Sequence, residues 1–211
     1  GNLPGGNVYT QGCWVRPASS NTASQYFLNL YDPGEEGDYV ITRINASTGN
    51  QISSLFKIAG SNSQPIGAAV TFGNWYFVAT GRSGASYFLK AFNIDGSLHS
   101  NVSAANQATN NFSFAADVGF TLGALDTAST TSDFSGRVTR AWRANSYVNS
   151  DAALWAIALA TNPVARGPVT LSNFYPLTTA NDSRDLAGSD VIAFTNAPTT
   201  EDDPPTLPKR L

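Results

Sequence analysis

Methionine is absent from this 211-residue chain, cysteine and histidine occur once each, and Asp, Glu, Lys and Arg together make up only 13% of it. A single cysteine, Cys13, excludes an internal disulfide, so burial of apolar surface must hold the fold. Beside Trp14 in YTQGCWVRP it reads as a small buried hydrophobe rather than a reactive thiol. A single histidine excludes a histidine-rich zinc site, and His99, in SLHSN after a turn, reads as part of a surface turn. With a net charge of -3 and Lys209-Arg210 as the one adjacent basic pair, the chain lacks the phosphate-neutralising surface that nucleic acid binding requires. No window approaches the ~18 consecutive apolar residues of a membrane-spanning helix. The opening GNLPGGN lacks the charged-then-apolar pattern of a signal peptide. The missing methionine is what removal of an initiator ahead of Gly1 would leave, and cleavage of a precursor would look the same. The length suits one all-β domain that buries roughly 70% of its unfolded surface.

What is present is a succession of short β-branched and aromatic runs punctuated by Gly, Asn, Pro and Ser, the pattern of sandwiches and barrels. The expected strands are NVYTQGCWVRP, QYFLNLY, DYVITRINA, QISSLFKIA, AAVTF, NWYFVATG, SYFLKAFNI, FSFAADVGFTLGAL and FSGRVTRAWRA. In NIDGSL, Asp95-Gly96 marks a hairpin corner, because glycine accepts the positive φ of a tight turn. One segment has helical spacing: NSDAALWAIALATNP, 149 to 163, with Ser150 as N-cap, Asp151 in the first turn and a stop before Asn162-Pro163. Its inward face is expected to carry Leu154, Ile157 and Ala158 or Trp155. The proline-rich, charged TTEDDPPTLPKRL, 199 to 211, is expected to be an extended tail that orders only on docking.

These pieces, in this order, resemble the laminin-G-like or concanavalin-A-like domains, specifically their bacterial and bacteriophage branch. The resemblance rests on CWVRP (13–17), NWYFVATGRSG (74–84), FLKAFNIDGSL (88–98), FSGRVTRAWRANSYVNSDAALWAIAL (134–159) and NFYPLTTANDSRDLAGSDVIAFTNAPTTEDDPP (173–205). It implies an all-β, two-sheet antiparallel jelly-roll sandwich spanning 1–198, with one short helix near 150–160 and the tail 199–211 outside it. Members usually open with an extra strand reading roughly Leu-x-Phe-Asp-Gly, and here GNLPGGN stands in its place. Either that strand is missing, or a segment such as DVIAFTN (190–196) takes its edge; an unpaired edge would invite a partner chain.

In NWYFVATG, alternation sends Trp75, Phe77 and Ala79 to one face and Tyr76, Val78 and Thr80 to the other. Two apolar rows on one strand predict a central strand covered on both sides, a core element rather than a sugar platform.

Glucan-cleaving enzymes of this fold carry carboxylates on one strand, nucleophile and acid at about 5 Å. The three glutamates here, Glu35, Glu36 and Glu201, do not form that pattern. A Gly-x-Ser-x-Gly elbow is also absent, as are Walker-type and dinucleotide glycine motifs. The expectation is a non-enzymatic protein. The candidate metal ligands are the acidic turn Asp32, Glu35, Glu36 and Asp38, oxygen donors that suit calcium, which many relatives hold at a sandwich rim. Otherwise the turn is a solvated one, and no other cofactor is implied. Candidate glycan-stacking residues are Tyr31, Tyr39 and Tyr147, aromatics flanked by amides and acids.

Two functions follow as expectations. The first is a virion structural or interaction protein, a bacteriophage head-decoration or fibre component. It would expose a rigid knob on the virion surface and contact neighbouring virion or capsid subunits as an oligomer or lattice. The second is a carbohydrate-binding module for host-surface or polysaccharide glycans, on a virion or secreted. Neither involves nucleic acid or membrane.

Overall fold

The computed structural model describes residues 8–19, 23–31, 38–58, 61–105, 119–123, 134–160, 163–177 and 186–187, with backbone alone at 31, 58, 105, 119 and 166. The chain forms two antiparallel sheets packed face to face. The first holds β1 (Val8–Pro17), β7 (Tyr76–Ser83), β8 (Ser86–Asn93), β9 (Leu98–Ala105), β11 (Gly136–Ala144) and β12 (Asn173–Tyr175), in the order β12-β11-β1-β7-β8-β9. The second holds β2 (Gln25–Tyr31), β3 (Tyr39–Asn45), β4 (Gln51–Ile58), β5 (Ser61–Ser63), β6 (Ile66–Ala69) and β10 (Gly119–Leu122), in the order β10-β2-β3-β4-β5, with β6 also pairing with β4. This is the expected jelly-roll sandwich.

The double apolar row on β7 behaves as the alternation predicts. Tyr76 and Val78 point between the sheets with Cys13, Val15, Leu89 and Ala91, against Phe27, Leu28, Ile44 and Ile52 of the opposite sheet. Phe77 and Ala79 point outward and are covered by α1 (Asp151–Leu159), together with Trp14, Phe88, Phe92 and Trp142. The helix is capped as expected: the Ser150 hydroxyl accepts from the Ala153 amide, Asp151 sits in the first turn, and Leu154, Ile157 and Ala158 are buried. Trp155 is half-buried and packs edge-on to Trp14 with ring centroids 6.0 Å apart. A short second helix that the spacing did not signal, α2 (Pro163–Arg166), follows.

Two β-bulges adjust which side chains face inward. Between Tyr26 and Leu28 the β2–β3 register shifts, so the neighbours Phe27 and Leu28 both enter the inter-sheet core. Between Gly12 and Trp14 the β1–β11 register shifts where Arg140 takes φ 50°, and Val138 and Ala141 both face inward although three positions apart.

The sequence reading differs from the structure in places. LHSNVSAA gives β9 no strong strand signal, because half of it is polar; as an edge strand it needs neither a hydrophobic row nor burial on both faces. It folds back from β8 through the Asp95-Gly96 corner, where Gly96 has φ 86° and Asp95 Oδ1 accepts from the Ser97 amide and hydroxyl at 2.9 and 2.6 Å. His99 accordingly lies in a strand rather than a turn, half-buried with its ring 4.6 Å from that of Tyr76. β5 and β12 are three-residue strands too short to leave a periodic signal. The AAVTF strand shifts to Ile66–Ala69, leaving Val70 as a core plug. Of FSFAADVGFTLGAL, Gly119–Leu122 is strand and 112–118 lie outside the described residues, as do 190–196 and 199–211.

Candidate functional site

On the outer face of the first sheet, beside the N-terminus of α1, β8, β9 and the loop leading into the helix enclose an open groove of about 340 Å³. Ser86 and Tyr87 of β8, Ser103 and Ala104 of β9, and Tyr147 and Asn149 of the loop line it. The loop is fixed by two polar anchors. Thr10, fully buried on β1, donates its hydroxyl to the Ser146 carbonyl at 2.7 Å and accepts from the Val148 amide at 2.8 Å. Lys90 of β8 sends its ammonium to the Asn149 carbonyl at 2.5 Å and to Asp151 Oδ1 at 2.6 Å. Lys90 itself is only 8% exposed while Asp151 is half exposed, so the contact to the Asn149 carbonyl holds the loop and the ion pair adds a solvent-screened contribution.

Held this way, the Tyr147 ring lies edge-on to Phe88 with centroids 5.5 Å apart, half-buried, while Ser86, Ser103 and Asn149 are exposed around it. Hydroxyl and amide groups beside a partly open aromatic can hydrogen-bond a polyol and stack on its C–H face. No carboxylate is among the lining residues. Tyr87 contributes to the groove wall from a ring directed the other way, against Phe56 at 4.9 Å, with its hydroxyl on Ser63 Oγ.

The structure separates the three tyrosines singled out in the sequence. Tyr147 is in the groove. Tyr39 leaves β3 on the face opposite to inward-facing Val40, on the outside of the second sheet, with Lys57 Nζ 5.5 Å from its ring centroid. The two thus lie on opposite sides of the sandwich. Tyr31 pairs with Tyr39 and Gly119 in the ladder, and its side chain lies outside the described residues. Of the acidic turn, Asp32, Glu35 and Glu36 lie outside the described residues, whereas Asp38 is 4% exposed and supports the charge of the Arg82 guanidinium. Among the described residues no group of three His, Cys, Asp or Glu side chains is arranged to hold a metal. Sequence reasoning missed Ser86, Ser103 and Asn149. Their only signal is pairing: Ser103 faces Phe88 across the β8–β9 ladder, and β9 itself was not foreseen.

No family model matches the sequence, and no curated protein matches it. Solved structures do match. The enzymatically active domain of tailspike protein 2 from bacteriophage CBA120 aligns with a TM-score of 0.63 at 16% identity over 82% of this chain, which spans 27% of that one. The CBM40 of the Ruminococcus gnavus IT-sialidase, bound to α2,3-sialyllactose, aligns with a TM-score of 0.54 at 16% identity, over 71% of this chain and 81% of that one. The LG1–3 region of the laminin α2 chain aligns with a TM-score of 0.52 at 16% identity, over 68% and 28%. At such identities the likeness is one of fold: a lectin-like jelly-roll sandwich.

Proposed function

We propose that this chain is a non-enzymatic carbohydrate-recognition sandwich of a bacteriophage surface protein, with Tyr147 as the stacking residue of its sugar site. The observation that carries the reading is the half-open Tyr147 ring held against Phe88 and rimmed by exposed Ser86, Ser103 and Asn149. A lining of hydroxyls, an amide and an aromatic suits reversible binding, whereas glycoside cleavage needs a carboxylate pair. The Ruminococcus gnavus module of similar fold is bound to a sialylated sugar, which supports the ligand class but not its identity. Glycan-array binding by the intact chain, lost in Tyr147→Ala with the fold retained, tests it; an array silent for the wild type overturns it.

A second reading, a structural knob on a virion, is favoured by the tailspike likeness, the highest-scoring of the three alignments given above. In that reading the sandwich stands on the virion surface and contacts neighbouring subunits, with the 199–211 segment as the docking arm. Co-sedimentation with particles, abolished by deleting 199–211, supports this role; a chain that never associates with particles rules it out. Secretion with an extracellular enzyme remains the alternative location for the sugar-binding role. With calcium at Asp32, Glu35, Glu36 and Asp38, adding chelator should lower the melting temperature, and a melt unchanged with and without calcium dismisses the site.

A further inference from the structure

The inward row of the first sheet changes character along β1. Beyond Cys13 the next inward positions are Gln11 and Tyr9; Gln11 sits opposite Arg143 on β11, and Tyr9 opposite Arg82 on β7. All four are shielded from solvent: Gln11 and Arg82 are 0% exposed, Tyr9 1% and Arg143 2%. Tyr9 packs in a cluster with Tyr87 of the same sheet and with Leu30, Val40 and Phe56 contributed by the second sheet.

The two guanidinium groups differ in what balances them. Arg82 has the buried carboxylate of Asp38 nearby and donates Nε to the Gly84 carbonyl at 2.8 Å. Arg143 faces the ring of Tyr9, 5.9 Å from its centroid, and no carboxylate among the described residues acts on it. Among the described residues its Nε and Nη1 lack hydrogen-bond partners, as do both polar atoms of the Gln11 amide across the ladder. Burial lowers the Arg143 pKa to about 10, which leaves it charged at neutral pH. Burial raises that of Tyr9, so the phenol stays neutral and supplies no counter-charge. A buried cation without a counter-ion costs several kcal/mol, and buried N–H groups without acceptors add to that.

We propose that Arg143 and Gln11 bind a small monovalent anion between the sheets, held by the guanidinium N–H groups and the Gln11 amide N–H. Among the described residues one unit of positive charge is left to balance once Asp38 is matched to Arg82, which selects a monovalent ion over a divalent oxyanion. The guanidinium and amide donors are N–H groups, with the Thr80 hydroxyl beside Gln11 on the ladder and Leu30, Val40 and Phe56 contributed by the second sheet, a mixed setting that suits a weakly hydrated halide such as chloride. The site lies between the sheets and the sugar groove opens on the outer face of the first sheet, with Tyr87 touching both neighbourhoods.

Crystals of the wild-type chain soaked in bromide test the assignment directly. The expected result is an anomalous peak at about 3.3 Å from Arg143 nitrogens and Gln11 Nε2. A water, or a carboxylate of the chain itself, on Arg143 overturns it. Melting in sodium chloride against sodium gluconate at equal ionic strength is the solution counterpart. The melting temperature should rise by about 2–5 °C over a hundredfold increase in chloride, and Arg143→Met should melt identically in the two salts. A wild type insensitive to the anion also overturns it, whether or not the variant folds.

Discussion

Trp14 and Ala158 are 144 positions apart, yet the Trp14 indole N–H donates to the Ala158 carbonyl at 3.2 Å, tying the outer face of the first sheet to the last turn of α1. The indole is 1% exposed and packs on Phe77 with centroids 5.6 Å apart, so one side chain both fills the sheet–helix layer and satisfies a helix-terminal carbonyl. Trp14→Ala should cost about 3–5 kcal/mol in urea unfolding. Trp14→Phe should cost less, about 1–3 kcal/mol, because packing is largely kept and the Arg140 Nη1 lies 3.5 Å from the same carbonyl.

Tyr147→Ala should weaken carbohydrate binding by about tenfold or more in Kd measured by calorimetry, with little change in far-UV circular dichroism. Tyr39→Ala should leave the affinity unchanged, since Tyr39 projects from the opposite side of the sandwich. Equal losses in both variants would contradict placement of the sugar in the Tyr147 groove.

His99 gives the fold a definite pH response. Burial lowers its pKa from the ordinary 6.5, and this outweighs the opposing pull of the Ala68 and Ala69 backbone. The unfolded chain therefore binds a proton more readily than the folded one. Its contribution to stability is complete above pH 6.5 and falls away as the pH drops from 6.5 toward the depressed folded value. Melting curves between pH 7.5 and 5 should show this decline, and His99→Gln should flatten that part of it.

Gly12 has no space for a side chain: a Cβ would lie 2.7 Å from the Val78 carbonyl oxygen and 2.9 Å from Trp142 Nε1. Gly12→Ala should destabilise by about 1–3 kcal/mol through forced displacement of backbone and indole. Gly84→Ala meets nothing within 4 Å but must adopt φ 56°, so its cost should be nearer 1 kcal/mol. Paired urea titrations separate the two causes.

Cys13 is fully buried and burial raises its thiol pKa, so it should resist thiol reagents until the protein unfolds. Cys13→Ser should cost about 1–3 kcal/mol by placing a hydroxyl in the apolar inter-sheet layer. Rapid labelling of the native protein would contradict the observed packing.

Elements whose own residues carry the pattern were legible in the chain alone. β7 announced burial on both faces because Phe77 and Ala79 alternate with Tyr76 and Val78, and α1 announced its start through Ser150 and Asp151. The Asp95-Gly96 corner was legible because only a few residues tolerate that backbone. What pairing supplies was not legible. β9 is a strand because β8 offers it a ladder, and Phe27 beside Leu28 enters one core because a bulge turns the chain. Tyr147 stood out as an aromatic among polar neighbours, but nothing local distinguished it from Tyr39. Only the tertiary structure put one beside Ser86, Ser103 and Asn149 and the other on the far sheet. It alone set Arg143 beside Gln11, 132 positions apart, since strand register is decided by long-range contacts that no short window contains.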